Sequence, residues 1–424
     1  MRLITFIFFI LLTNITVGQN LYRVPAEWEK QKAFLVSYNG VLEDSILDKN
    51  AYQVIDNLIK ELSSENKVFV LVGKGLDETK LIQNFKRQKI NLTNIQILPI
   101  ENLHSMGVCR DVGPIIAKNK SNENVLVKFN WSPVGFDATN KPTNQPKSIT
   151  VRRNNYFDKL STTLHHSLIE NHLAIEGGEI ENNGNGVLIL VESFTKKRNA
   201  NFTTYQFDSL LQSVYGKSKI IWLKQGDILD PGIGESKLAE NIYGQGMGGH
   251  IDEFARFVND STIFLAYPNK SECNNDSIKM KMLHRMEVNY DILLKATTKN
   301  GQHFKIVKIP VPDILPYKYY YDTLKSKHPM PIRFILDENP SIKTGTTIKY
   351  LPAASYLNFV FANDKIIIPK YYRKGYPKTS LQKDKEVLRI FRSYFKGKKI
   401  IQMDVLGLNY CMGGIHCWTQ QVPE

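Results

Sequence analysis

Short apolar runs alternate with amphipathic stretches along nearly the whole chain, and this alternation restricts it to an α/β architecture. Residues 33–36 and 68–72 read as strands, with helical periodicity at 52–62 between them and at 77–85 after them. Strand-like runs recur at 95–100, 125–129, 187–191, 220–223, 262–267 and 304–311. The longest helical stretch, 277–296, precedes the last of these. A final helix at 383–395 leads into a strand at 399–405. The polar stretch 137–148 and the proline-bearing region 310–331, with its tyrosine cluster Tyr317 to Tyr321 expected at a surface cleft, read as loops.

The N-terminus carries a different signal. Met1-Arg2, the apolar run 3–12 and the small-residue stretch Thr16-Val17-Gly18 have the order of a signal peptide, so residues 1–18 are expected to be removed. The apolar run is about half of the ~20 residues needed to span a bilayer, so no membrane span is expected after cleavage. Residues 19–424 are then read as a single catalytic domain, exported to the periplasm or secreted. With 42% hydrophobic residues, that length suffices for a large core.

Composition narrows the function classes. Cys109, Cys273, Cys411 and Cys417 are too few and too irregularly spaced for a disulfide scaffold or for a zinc site of paired CxxC motifs, which leaves a catalytic thiol open. Their pairing is left undecided. The net charge of +14 is carried by scattered lysines, as in Lys279-Met280-Lys281, and reads as a solvated basic surface rather than a nucleic-acid site.

Four segments carry candidate chemistry. In Gly413-Gly414-Ile415-His416-Cys417-Trp418 a thiol follows two glycines, where the backbone can bend tightly and approach a ligand, so Cys417 is expected to be an exposed nucleophile. In Gly249-His250-Ile251-Asp252, a strand would project the histidine and the carboxylate to one face. Arg110-Asp111 stands before a Gly-Pro turn, and Glu176 stands before Gly177-Gly178. Read singly, the first is an ordinary surface ion pair and the second a hairpin turn. Together they supply one thiol, one histidine and three carboxylates, a set suited to attack on a planar cation such as guanidinium, with Asp111 and Asp252 as the gripping carboxylates.

These residues resemble the family of bacterial agmatine deiminases and Porphyromonas-type peptidylarginine deiminases, within the guanidino-group modifying enzymes. The resemblance runs in order through Pro25-Ala26-Glu27-Trp28-Glu29, Arg110-Asp111-Val112-Gly113-Pro114, Phe129-Asn130-Trp131, Glu176-Gly177-Gly178, Gly249-His250-Ile251-Asp252 with Ala255-Arg256-Phe257-Val258, and Ile415-His416-Cys417 with Thr419-Gln420-Gln421. It implies a pentein fold, a five-bladed pseudosymmetric α/β propeller around a central site. It implies Cys417 as nucleophile, His250 as general acid and base, Asp111 and Asp252 as guanidinium-binding carboxylates, and Glu176 and Trp131 on the substrate side. The reaction it implies is hydrolysis of a guanidino group to a ureido product and ammonia through a covalent thiouronium on Cys417, with no metal or cofactor.

The sequence departs from the agmatine deiminase pattern at Val108, where tryptophan is common, and at Cys411, Met412 and Gly414, where a Gly-Gly-Gly-Asn run is usual. Agmatine and arginine in a peptide or protein therefore both stand as substrates, and Arg152-Arg153 offers a possible clamp for a peptide carboxylate. An amidinotransferase, a non-catalytic exported protein binding anionic polymers through its basic surface, and a Cys-His peptidase are the alternatives. Oligomeric state has no sequence signal.

Overall fold

The computed structural model describes residues 22–38, 46–73, 75–101, 108–131, 147–232, 234–324, 328–411 and 413–424. The expected leader, residues 1–18, and all but the end of the polar stretch 137–148 lie outside these residues.

The chain forms the mixed α/β architecture that its periodicity requires, as six separate sheets of three or four strands among the described residues. Five repeat one pattern: an antiparallel pair, then a helical crossover to a parallel neighbour. In chain order, one sheet pairs Ile115–Asn119 with Asn124–Asn130, which runs parallel to Ser167–Ala174 beyond the helix Lys147–Leu164. The next pairs Glu181–Asn182 with Val187–Val191 and then Lys219–Leu223. Ala255–Asn259, Thr262–Ala266 and Lys305–Ile309 make another. Val360–Ala362, Lys365–Lys370 and Lys399–Asp404 repeat it again.

The fifth such sheet joins the two ends of the chain. Thr419–Pro423 lies antiparallel to Gln31–Ser37, which runs parallel to Lys67–Gly73. A strand this close to the C-terminus is thereby fixed in the core, and with it the loop carrying Cys417. The central strands Val187–Val191, Thr262–Ala266 and Lys365–Lys370, which each pair with a parallel neighbour, read as largely apolar runs because they are covered on both faces.

The largest apolar cluster contains Phe34, Ile55, Val70, Phe264, Phe359, Ile367, Phe391 and Trp418. Helix starts are set locally: Asp77 accepts from the Lys80 N–H, and Asp276 from those of Ile278 and Lys279.

One segment read as loop is partly regular. Within 310–331, Tyr317–Tyr320 forms a strand paired with Thr347–Pro352, in the sheet that stands apart from the fivefold pattern. Its tyrosines alternate across the sheet, with Tyr319 buried and Tyr320 exposed, so they do not line one cleft as a group.

Candidate active site

In each of the five repeated sheets the residues just before the first strand turn inward. Asp111 lies in the short helix Cys109–Val112 ahead of Ile115–Asn119. Gly178 and Glu179 precede Glu181–Asn182, Asp252 precedes Ala255–Asn259, Asn358 precedes Val360–Ala362, and Cys417 precedes Thr419–Pro423. All of these residues are buried.

Gly178 marks where three of the loops converge. A Cβ on it would lie 2.6 Å from His250 Nδ1, 3.0 Å from Asp111 Oδ1 and 3.2 Å from Asp252 Oδ1, so only a residue without a side chain leaves this space open. Its N–H donates to Asp111 Oδ1 at 2.9 Å, which fixes that carboxylate.

His250 is held at both ends. The N–H groups of Met247, Gly249 and His250 all donate to the buried Asp230 carboxylate. Glycines at 248 and 249 take φ of +101° and +98°, which lets the loop wrap around it. The ring's Nε2 lies 2.9 Å from Glu176 Oε2, leaving Nδ1 toward Asp111 at 3.7 Å, too long for a hydrogen bond. Burial opposes a charge on this ring, but Asp111, Glu176 and Asp230 outweigh it and hold its pKa well above the usual histidine range.

Glu176 also ion-pairs with Arg198 at 2.9 Å and accepts from the Trp131 indole N–H at 2.5 Å. Burial would raise its pKa, but Arg198 and His250 hold it near 2. Asp111 is the opposite case: burial, reinforced by Glu176 and Asp252 against the pull of His250, pushes it up to about 7.

Cys417 is 5% exposed, not the open thiol expected from the sequence. The bend at Gly413, with φ of +100°, folds the loop against it instead of lifting it to the surface. Its Sγ lies 3.3 Å from Asn358 Nδ2 and 3.5 Å from Asp252 Oδ2. Burial, then Asp252, Glu253 and Asp111, drive the thiol pKa well above the usual cysteine range, which keeps the proton on sulfur. Asn358 also donates to Glu253 Oε1 at 2.9 Å and accepts from the His416 N–H at 2.8 Å.

Two buried oxygens in this cage, Asp252 Oδ1 and Glu253 Oε2, have no hydrogen-bond partner. The Asp252 oxygen, an unpaired acceptor in a buried acidic pocket, fits a cationic donor group. Burial and the adjacent Asp252 push the Glu253 carboxyl well above its usual range, so the pocket's fixed charge sits on Asp252. Asp252, Glu253 and Cys417 also bring ligand-type atoms within 4.8 Å of one another, but as two carboxylates and a thiol they are the same atoms that face the cation space.

Behind Asp252 lies a buried ionic hub. Glu27 receives Arg110 at 2.9 Å and Arg256 at 2.5 Å, and Arg256 ion-pairs with Glu181 at 3.0 Å. Arg110 extends the hub to the His416 carbonyl at 2.7 Å and to Gln421 at 2.6 Å.

The structure thus brings Cys417, His250, Asp111, Asp252, Glu176 and, through Glu176, Trp131 into one site, with differences in detail. His250 and Asp252 do not lie on a strand: His250 caps the single 3-10 turn Ile251–Glu253, because the loop must wrap Asp230. Arg110-Asp111 is not a surface pair; both are buried, the arginine in the hub and the aspartate in the site. Arg153 is buried over the Phe157 ring, directed at the Val112 carbonyl, so it belongs to the core; the Arg152 side chain lies outside the described residues. The four cysteines are free thiols.

Sequence reasoning missed Asn358, Glu253, Arg198 and Asp230. The available signal for Asn358 was positional: a buried polar residue in the apolar run 356–362, two residues before its strand, as Cys417 is before its own.

Comparison with known proteins follows from this geometry. The family model for Porphyromonas-type peptidyl-arginine deiminase matches residues 23–423. A Photobacterium profundum protein, provisionally named an agmatine deiminase, is 22% identical over 96% of this chain and 97% of its own. The agmatine deiminase of Enterococcus faecalis superposes with a TM-score of 0.71 at 20% identity, covering 96% of this chain and 98% of that one. The agmatine deiminase of C. jejuni, solved with substrate bound, gives 0.65 at 20% identity over 95% and 97%. At these identities the structural likenesses establish a shared fold.

Proposed function

Because the chain belongs to the Porphyromonas-type peptidyl-arginine deiminase family, we propose that it hydrolyses a guanidinium group to a ureido group and ammonia. The observation that carries the reading is the buried cluster of Cys417, His250, Asp111 and Asp252, in which Asp252 Oδ1 has no partner. The five repeated sheets are read here as the five blades of a pentein propeller, whose inner-strand loops supply the site.

The reaction starts with a neutral Cys417 thiol. A guanidinium bound between Asp111 and Asp252 neutralises two of the charges that hold the proton on sulfur, and so favours the thiolate. The thiol proton is released to water, and the thiolate attacks the central guanidinium carbon. His250, kept protonated by Glu176 and Asp111, gives a proton to the departing nitrogen, which leaves as ammonia. The resulting thiouronium carbon is attacked by water, with His250 now taking the water's proton. Collapse breaks the C–S bond, the hydroxyl proton passes to the departing sulfur, and the ureido product leaves with the neutral Cys417 thiol restored. Glu176, whose oxygens are engaged by Trp131, Arg198 and His250, serves to orient the imidazole rather than to grip substrate.

Two substrate classes fit, agmatine and peptidyl-arginine. The reading is tested by a colorimetric ureido assay offering agmatine, free arginine, and peptides with internal or C-terminal arginine. Colour with agmatine alone makes the enzyme a small-amine deiminase, and colour with peptides makes it a protein-modifying one. A product whose mass includes an added amine would make it an amidinotransferase. Salt-sensitive polyanion binding without turnover would favour a binding protein. For the N-terminal segment we retain signal-directed export, tested by whether the protein from the cell envelope or medium begins near Gln19.

A further inference from the structure

We infer that His416 is a positioning residue for the guanidinium-binding carboxylate: it ties Asp252 to Glu27 and thereby leaves Asp252 Oδ1 as the oxygen offered to substrate. This rests on the deimination reading above and adds a residue to it.

The geometry is specific. The His416 ring is buried, with Nδ1 2.7 Å from Asp252 Oδ2 and Nε2 2.8 Å from Glu27 Oε1. Its main chain is fixed as well, since the N–H donates to Asn358 and the carbonyl accepts from Arg110. Asp252 Oδ2 therefore has three donors, His416, Asn358 at 3.3 Å and the Cys417 thiol at 3.5 Å, whereas Oδ1 has none and lies beside Gly178. A carboxylate clamped through one oxygen cannot rotate to exchange the two, so its free lone pairs stay aimed at one point.

The bond to Asp252 needs a proton only on Nδ1. Hydrogen bonds to both carboxylates require protons on both ring nitrogens, the imidazolium form; the neutral tautomer protonated on Nδ1 keeps the bond to Asp252 but gives up the one to Glu27. Glu27 holds the far side of the ring and is itself anchored by two arginines, so the position of Asp252 is set from the interior hub rather than by its own loop.

Loss of this clamp should weaken capture of the cation more than it slows the chemistry. His416→Ala is expected to raise KM by about 10- to 100-fold, the usual worth of a hydrogen bond to a charged group, with a smaller fall in kcat. His416→Asn places an amide N–H where Nδ1–H stood and is expected to recover most of that KM. Glu27→Gln keeps the shape of the anchor and should raise KM in the same direction by less.

The experiment is steady-state kinetics on wild type and the three variants with the best substrate of the ureido panel, with circular dichroism to confirm folding. Turnover in wild type with unchanged KM in folded His416→Ala would overturn this inference alone. So would a loss confined to kcat, which would mean that His416 acts on its neighbour Cys417. If His416→Ala does not fold, His416→Asn and Glu27→Gln carry the test, and wild-type KM in Glu27→Gln together with undiminished damage in His416→Asn overturns it. No turnover in wild type would overturn the deimination reading and this inference with it.

Discussion

Asn358 Nδ2 lies 3.3 Å from the sulfur of Cys417, 59 residues further along the chain. The two residues occupy the same place in successive sheets, each two positions before its first strand. The same amide touches both Asp252 and Glu253, so one side chain sets the spacing of nucleophile and carboxylates.

Replacing that amide tests its role. Asn358→Ala should lower kcat/KM by about 100-fold, since it leaves Glu253 Oε1 unpaired and removes a donor from the sulfur. Asn358→Asp should be worse, because a further acid beside Cys417 favours the protonated thiol. Alkylation rates of Cys417 by iodoacetamide, measured against pH, would read the thiol shift directly.

Gly178→Ala puts a methyl group 2.6 Å from His250 Nδ1. The three facing groups are fixed by other contacts, so the methyl overlaps them and must displace the His250 ring or the Asp111 carboxylate from its place in the site. The expected outcome is a KM raised by at least about tenfold with a melting temperature changed by only a few degrees. Calorimetric titration of a guanidino ligand into the variant would show the lost site.

The Asp111 carboxyl, pushed up to about 7, gives kcat/KM an acidic limb. The sign follows from the charge: below that pH the group is largely neutral and cannot hold a cation, and above it the carboxylate is formed. Activity at low substrate concentration should therefore rise as pH increases through about 7. In Asp111→Asn the limb should flatten, together with a large loss of affinity. A pH profile of kcat/KM on both proteins checks this.

The hub answers to stability rather than turnover. Arg256→Leu removes the ion-pair partner of buried Glu181 and one of the two arginines on Glu27, and breaking such a pair costs about 3–5 kcal/mol. Urea denaturation should show that loss as a shifted midpoint. A variant as stable as wild type would contradict the hub.

Much of the architecture was legible in the sequence because parallel strands covered on both faces must be apolar runs. Residues 187–191 are read to their ends for that reason, whereas the edge strand Ile95–Ile100 is legible from its alternating isoleucines. Strands with little apolar signal were not, such as the two-residue Glu181–Asn182. The site was legible where chemistry and glycine coincide, at His250, Glu176 and Cys417. Asn358 was not, since an amide inside an apolar run carries no chemical signature until the repeat places it opposite Cys417. Burial of Cys417 was hidden too, because two glycines favour a tight bend without fixing which way it faces.

The most direct measurement offers the guanidino panel to wild type and to Cys417→Ala side by side, with acid-quenched wild-type reactions analysed by peptide mass mapping. The account predicts ureido product and a substrate-derived adduct on the Cys417 peptide in wild type, and product below about one ten-thousandth of the wild-type rate in a folded Cys417→Ala protein. Sustained turnover in that variant would contradict it.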